Sequence, residues 1–125
     1  TITLTLKVPS YSIEINFMTL PKSVQLGHNT IQLKTIESGV ALDIGDQQGS
    51  YSYRANIIYL DEERLEGSQG VELLLHEIGH AIFYQYNLEK TKEEENIVNA
   101  MSQGYTEIFK RNPLLLKWIR KALGK

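Results

Sequence analysis

The sequence predicts an α+β domain in which N-terminal antiparallel strands precede a long helix, a second helix and a short C-terminal helix. Two periodicities predict this division. In the first half of the chain apolar residues alternate with polar ones, as in strands, whereas after Gln69 they recur every three or four residues, as in helices. A chain of 125 residues has the length of one domain. We therefore expect a single domain over 1–125, with strands mainly in 1–66 and helices mainly in 67–125.

The predicted strands follow from the alternation and from the polar breaks between alternating segments. The first two segments, separated by Pro9-Ser10, could form an antiparallel hairpin. The last segment is apolar and rich in aromatic residues, and it ends at the charged turn Asp61–Glu66. The strands are expected at residues 1–8, 11–17, 23–26, 31–36, 40–44 and 51–60, with a polar loop over 45–50.

The three predicted helices follow from helical spacing and from capping residues. Thr91 and Glu94 match a T-x-x-E capping box, so the second helix is expected to start at Thr91. Asn112-Pro113 has the character of a cap and the first residue of the third helix. The helices are expected over residues 69–87, from residue 91, and over residues 113–123.

The first predicted helix carries an H-E-x-x-H motif, His76-Glu77-Ile78-Gly79-His80. At 3.6 residues per turn, positions i and i+4 share one face, so His76 and His80 can bind one metal ion. Glu77 neighbours the first histidine and can reach a water on that ion. Gly79 is expected to allow close helix packing. The motif predicts a zinc-dependent hydrolase with Glu77 as its catalytic base.

A catalytic zinc site needs a third protein ligand. The longer histidine form of the motif is excluded, because Phe83 and Tyr86 stand where it requires glycine and histidine. Cysteine ligands are excluded as well, since the chain has no cysteine, and no aspartate follows Asp61. The remaining candidates are His28, Glu89, Glu93, Glu94, Glu95 and Glu107.

The glutamates of the second predicted helix are the best candidates for that ligand. Glu94 lies closest to the middle of the apolar stripe, but the capping box already gives it a structural role. Glu95 lies on a more polar flank with Asn99, which could hydrogen-bond a ligating histidine. On the residues alone, Glu95 ranks slightly ahead of Glu94.

The run Leu73–Ile82 resembles the motif helix of the ImmA/IrrE-like metallopeptidases, and most closely that of the small members in phages and prophages. In that family the second helix carries the third ligand as a glutamate, followed by an apolar residue at +3 and a polar residue at +4. Glu95, Val98 and Asn99 match this pattern. The resemblance covers roughly residues 49–113. It implies a glutamate-type zincin fold, Zn²⁺ as cofactor, Glu95 as third ligand and endopeptidase activity, in some members against repressor-like regulators.

The remaining expectations concern substrate, partners and location. The strand at residues 57–60 is expected to lie beside the cleft and to pair with an extended peptide substrate. Four residues could donate a hydrogen bond to the oxyanion: Tyr105, Tyr84, Tyr53 and His28. The alternative function is a catalytically silent, zincin-fold binding module.

Composition further restricts the binding partners and the location expected for the protein. A net charge of −2 implies no general attraction to nucleic acid. No apolar run reaches the length of a membrane span, and the lack of cysteine fits the reducing cytoplasm. The basic, leucine-rich C-terminal helix is expected to pack its leucines on the core rather than to bind a membrane surface. The protein is therefore expected in the cytoplasm, without a membrane span and without nucleic acid.

Overall fold

The computed structural model of the protein describes residues 19–37 and 49–124, which form a four-stranded mixed sheet followed by three helices. The α+β class predicted from the sequence is thus confirmed. The strands predicted at 1–8, 11–17 and 40–44 lie outside the described residues. The elements are β1 (Ser23–Leu26), β2 (Asn29–Ile36), β3 (Gly49–Ser52), β4 (Ile57–Asp61), α1 (Gly67–Gln85), α2 (Glu94–Arg111) and α3 (Pro113–Ala122).

The strand order in the described sheet is β1-β2-β4-β3. β1 and β2 form an antiparallel hairpin, whose tight turn places Gly27 at φ 63°, a conformation that favours glycine. β3 and β4 are also antiparallel, but β2 and β4 pair in parallel, with Leu33 opposite Ile58. The expectation of antiparallel strands is therefore wrong for this central pairing. β3 reverses the chain before β4 forms, so that β4 runs in the same direction as β2.

The stretch predicted as a single strand at 51–60 is instead a hairpin, in which residues 53–56 turn the chain from β3 into β4. Asn56 adopts φ 57°, in the left-handed region that asparagine tolerates better than most residues. The Ala55 N–H donates to Ser52 Oγ at 3.3 Å and closes the turn. The alternation of apolar residues continues through a turn that lacks glycine and proline, which is why the pattern suggested one strand.

The hydrophobic core lies between one face of the sheet and the buried side of α1. From α1, Leu74, Ile78 and Ile82 have no solvent exposure. Burial of each such side chain contributes roughly 1.5–3 kcal/mol relative to exposure, so this contact fixes the rotation of α1 about its axis. The opposite side of α1 therefore faces outward. The sheet contributes Val24, Leu26, Ile31, Leu33, Ile58 and Leu60 to the core.

The second helix begins later than the capping-box pattern predicts. α2 starts at Glu94, with Glu93 at the N-cap position, and Thr91 precedes the helix in an extended conformation. The Thr91 hydroxyl accepts a hydrogen bond from the Glu93 N–H at 3.3 Å. Asn87 adopts a left-handed conformation and starts a short 3₁₀ turn at Leu88–Lys90, which delays the start of α2. The capping box was therefore wrong, and Glu94 has no part in it.

The C-terminal end of α2 binds the outer edge of β1. Asn112 holds both backbone groups of Gln25: its Oδ1 accepts the N–H at 2.8 Å, and its Nδ2 donates to the carbonyl at 3.1 Å. Glu107 accepts the Gly27 N–H at 2.7 Å, and Arg111 donates to the Gly27 carbonyl at 3.1 Å. Asn112 occupies the N-cap position of α3 as predicted, but its side chain makes no capping bond to that helix. These contacts fix α2 against the sheet.

Candidate active site

The two motif histidines converge on one point in front of α1. Their Nε2 atoms lie 3.2 Å apart, and the ring planes meet at 84°. Both side chains are exposed, on the face of α1 opposite the core. Two nitrogen ligands at 2.0–2.1 Å from a tetrahedral zinc ion lie about 3.3 Å apart, so His76 and His80 fit two positions of such a site.

Glu77 is buried between the histidine pair and the sheet, with only 5% of its surface exposed. Its side chain packs directly on Gly49 of β3, where an added Cβ would lie 3.1 Å from Oε2 and 3.2 Å from Cγ. Burial raises the pKa of the Glu77 carboxyl, and the nearby His80 and His76 oppose that rise only in part. A carboxylate placed in this way is a stronger base than one in water.

The structure does not bring a third ligand to the histidine pair. Within residues 19–37 and 49–124, no group of three or more His, Cys, Asp or Glu side chains could hold a metal ion. Glu94 and Glu95 both lie exposed in the first turn of α2. Glu94 precedes Met101 by two helical turns, and Met101 contacts the position of Gly79. By helical phase, therefore, Glu94 lies on the side of α2 that faces α1.

Glu95 occupies a different face of α2. Val98 and Asn99, which follow it by one turn, are both exposed, Val98 to 50%. Ser102, a further turn along, is also exposed and donates from its hydroxyl to the Val98 carbonyl at 3.0 Å. The polar flank predicted around Glu95 is thus present, but it is turned toward solvent. Glu95 as third ligand remains a prediction.

Two of the four candidate oxyanion donors have other partners. The Tyr105 hydroxyl donates to the Leu75 carbonyl at 2.6 Å, and burial raises the pKa of that hydroxyl. It lies directly over Gly79, where an added Cβ would be only 2.9 Å from it, so the close packing expected at Gly79 is confirmed. His28 lies in the β1–β2 turn beside Glu107, at the C-terminal end of α2.

The other two candidates, Tyr53 and Tyr84, form a stacked pair that the sequence did not predict. Their ring centroids lie 4.4 Å apart at an interplanar angle of 22°, and each residue is 46% exposed. Tyr84 follows His80 by four residues, as His80 follows His76, so all three share one face of α1. This four-residue spacing is the sequence signal that could have placed Tyr84 beside the histidines. Its partner Tyr53 could not be identified without knowledge of the β3–β4 hairpin.

The strand beside the site is β3, not the strand expected from the sequence. β4 pairs with β2 on one side and with β3 on the other, so both of its edges are occupied and it cannot accept a peptide. β3 is an edge strand of the described sheet and lies against α1 at Gly49 and Glu77. On the N-terminal side of the histidine pair, a polar cavity of about 320 Å³ adjoins His76 and includes Arg64 and Glu72.

The C-terminal helix packs on the core through Leu115 and Trp118, which are buried. Leu114, Leu116 and Leu123 are exposed, so the expectation that the leucines of this helix pack on the core is correct only for Leu115. None of the helices in the described ranges has the length and apolar character needed to cross a membrane.

No family model, curated protein or solved structure matches the chain. The function is therefore inferred from the residues of the site itself.

Proposed function

We propose that this protein is a zinc-dependent endopeptidase with a zincin-like domain of the ImmA/IrrE-like, phage or prophage type. The observation that carries the proposal is the convergence of the His76 and His80 Nε2 atoms at 3.2 Å, with Glu77 buried next to them. An H-E-x-x-H helix in which both imidazoles reach one point supplies two of the three protein ligands of a catalytic zinc site at the required spacing.

The chain's own residues supply the proton transfer. When bound, zinc supplies Lewis acidity, which makes a neighbouring water acidic and polarises a peptide carbonyl. Glu77 takes a proton from the attacking water and returns it to the nitrogen of the leaving amine. Its contact with Gly49 holds the carboxyl against the sheet, so that it does not turn into solvent. The partly desolvated carboxylate is thereby kept basic and in one orientation.

The third zinc ligand is proposed to come from the first turn of α2. The family resemblance favours Glu95, whereas the helical phase of α2, with Met101 facing Gly79, favours Glu94. Both are exposed acidic residues of one turn, so the matched variants Glu95→Ala and Glu94→Ala separate the two assignments.

The proposed substrate is a peptide segment of a protein, bound in an extended conformation along the outer edge of β3. Among the described residues, only β4 pairs with β3, so the other edge of β3 is unpaired there. β3 runs from its contact with Glu77 toward the tyrosine pair. A peptide added at this edge would gain backbone hydrogen bonds and bring one of its carbonyls near the histidine pair. A regulatory protein in the cytoplasm is the proposed source of the peptide.

Metal analysis and cleavage assays on matched variants test the proposal. Purified protein supplied with zinc is expected to hold about one ion per chain, as a single catalytic site requires, and His76→Ala to lose it. Glu77→Gln should keep the zinc and lose the cleavage of a peptide library. If the parent protein binds no zinc, the endopeptidase proposal fails. If it binds zinc but cuts no peptide, the alternative of a catalytically silent binding module gains support.

A further inference from the structure

The stacked pair Tyr53–Tyr84 is an exposed aromatic surface on the same helix face as the histidine pair. Large exposed aromatic residues bind ligands well, because they bury much surface and lose little side-chain entropy. Here each ring already holds the other in place, 4.4 Å apart, while 46% of each residue stays accessible. The stacked arrangement therefore presents both rings to solvent in one defined geometry.

β3 links this aromatic pair to the catalytic carboxylate. Gly49 at the start of β3 contacts Glu77, and Tyr53, just after the end of β3, stacks on Tyr84. The chain therefore lies against α1 both at the start of β3 and just after its end. A peptide bound along β3 past the histidines would consequently reach the tyrosine pair.

The rise per residue of α1 and of an extended peptide together predict which substrate residue contacts the tyrosine pair. Tyr84 lies six residues beyond Ile78, the midpoint of the histidine pair, which corresponds to about 9 Å along a helix. An extended peptide advances roughly 3.3 Å per residue, so this distance is spanned by two to three residues. The side chain that meets the tyrosines belongs to a residue two or three positions from the scissile bond.

The charge beside the pair narrows the side chains that it can accept. The Arg54 guanidinium carbon lies 5.9 Å from the centroid of the Tyr53 ring. This positive charge disfavours lysine and arginine side chains, while the rings favour aromatic and large apolar ones.

We propose that Tyr53 and Tyr84 form a substrate subsite that selects an aromatic or large apolar side chain two or three residues from the scissile bond. The proposal rests on the endopeptidase function and adds its substrate class. Tyr53 and Tyr84 act by contact with the substrate side chain rather than by chemistry at the scissile bond.

A positional peptide library tests the subsite. Zinc-supplied protein is assayed with fluorogenic peptides that vary at each of three positions on both sides of the cleavage point. Phenylalanine or leucine at the subsite position should raise kcat/KM over alanine by roughly tenfold or more, as pocket contacts of this size do. Tyr84→Ala should reduce this ratio to below about threefold, whereas Tyr84→Phe, which keeps the ring, should preserve it. Leu116→Ala, at an exposed apolar position of α3, is the control.

Binding separates the failure of the subsite from the failure of the enzyme. Glu77→Gln protein, supplied with zinc, is titrated with phenylalanine-containing and alanine-containing peptides, alone and combined with Tyr84→Ala. Cleavage with no preference, or a preference that survives Tyr84→Ala, overturns the subsite and leaves the enzyme intact. Absence of cleavage, together with tyrosine-dependent binding of the phenylalanine peptide, overturns the enzyme and supports the subsite. Absence of both cleavage and binding overturns both.

Discussion

The contact between Gly79 and Tyr105 predicts that Gly79→Ala lowers the stability of the parent protein but raises that of a Tyr105→Phe variant. In an unhindered helix interior, Gly→Ala stabilises by about 1 kcal/mol, because alanine loses less backbone entropy on folding. At position 79, however, the new Cβ would lie 2.9 Å from the Tyr105 hydroxyl oxygen, well inside ordinary contact. The next nearest atoms, Met101 Cε at 3.7 Å and Tyr105 Cζ at 4.0 Å, are in normal contact. The hydroxyl is therefore the only close obstruction among the described residues.

The expected changes in the free energy of unfolding follow from the interactions that the Tyr105 hydroxyl would lose. It cannot move without lengthening its 2.6 Å bond to the Leu75 carbonyl. Such a bond contributes about 0.5–1.5 kcal/mol, and overpacking a helix contact costs about 1–3 kcal/mol. Gly79→Ala is thus expected to destabilise the parent protein by about 1 kcal/mol after the helix-propensity gain. In a Tyr105→Phe background, the same change should stabilise by up to about 1 kcal/mol.

Urea unfolding of the four proteins in this cycle measures the coupling. The free energies of unfolding should give an interaction energy between positions 79 and 105 of about 2 kcal/mol, well above the error of such cycles. The m-values should stay constant, because the change is local. Equal destabilisation by Gly79→Ala in both backgrounds would refute the reasoning, since the hydroxyl would then not be the obstruction.

Three further substitutions test the site and the fold. Gly49→Ala should press on the Glu77 carboxyl, from which its Cβ would lie 3.1 Å, and lower kcat by roughly tenfold with the zinc content unchanged. Steady-state kinetics and metal analysis check this. Glu107 has a lowered pKa because it accepts the Gly27 N–H and pairs with an arginine. Its stabilisation should be complete above the unfolded pKa of about 4.3 and vanish as the pH falls through the folded value. Urea unfolding at pH 7 and pH 3 should therefore show Glu107→Gln destabilising more at pH 7 than at pH 3. Leu74→Ala, at a fully buried position, should cost about 2–5 kcal/mol in thermal unfolding.

What the sequence could predict was determined by local geometry. His76 and His80 lie on one face because the helix repeats every 3.6 residues, and nothing else in the chain is needed for their approach. Leu74 and Ile78, four residues apart, are both buried on the opposite face by the same period. The parallel pairing of β2 with β4, in contrast, joins residues about 25 positions apart, such as Leu33 and Ile58, and no local pattern encodes it.

The proposed third ligand, a glutamate of α2, depends on the same kind of non-local information. Its position is determined by how α2 crosses α1, and that crossing depends on the left-handed turn at Asn87 and on the 3₁₀ turn that follows it. The capping-box pattern misplaced the start of α2 by three residues, from Thr91 to Glu94, which is nearly one helical turn. A shift of this size changes which glutamate is placed in the first turn but not which face each residue occupies. The face assignment is therefore the more robust basis for choosing between Glu94 and Glu95, and it is what the paired alanine variants measure.

The order of elements explains how one helix could carry both the proposed chemistry and the proposed specificity. The core side of α1 is fixed by Leu74, Ile78 and Ile82, so its outer side presents His76, His80 and Tyr84 at four-residue steps. β3 runs beside this row and supplies a contact near each end, Gly49 to Glu77 and Tyr53 to Tyr84. A substitution in β3 can therefore alter either the base or the aromatic pair without touching the histidines. Under the proposed function, variants of β3 should thus change catalytic rate or substrate preference while zinc binding, assigned to residues of α1 and α2, stays constant.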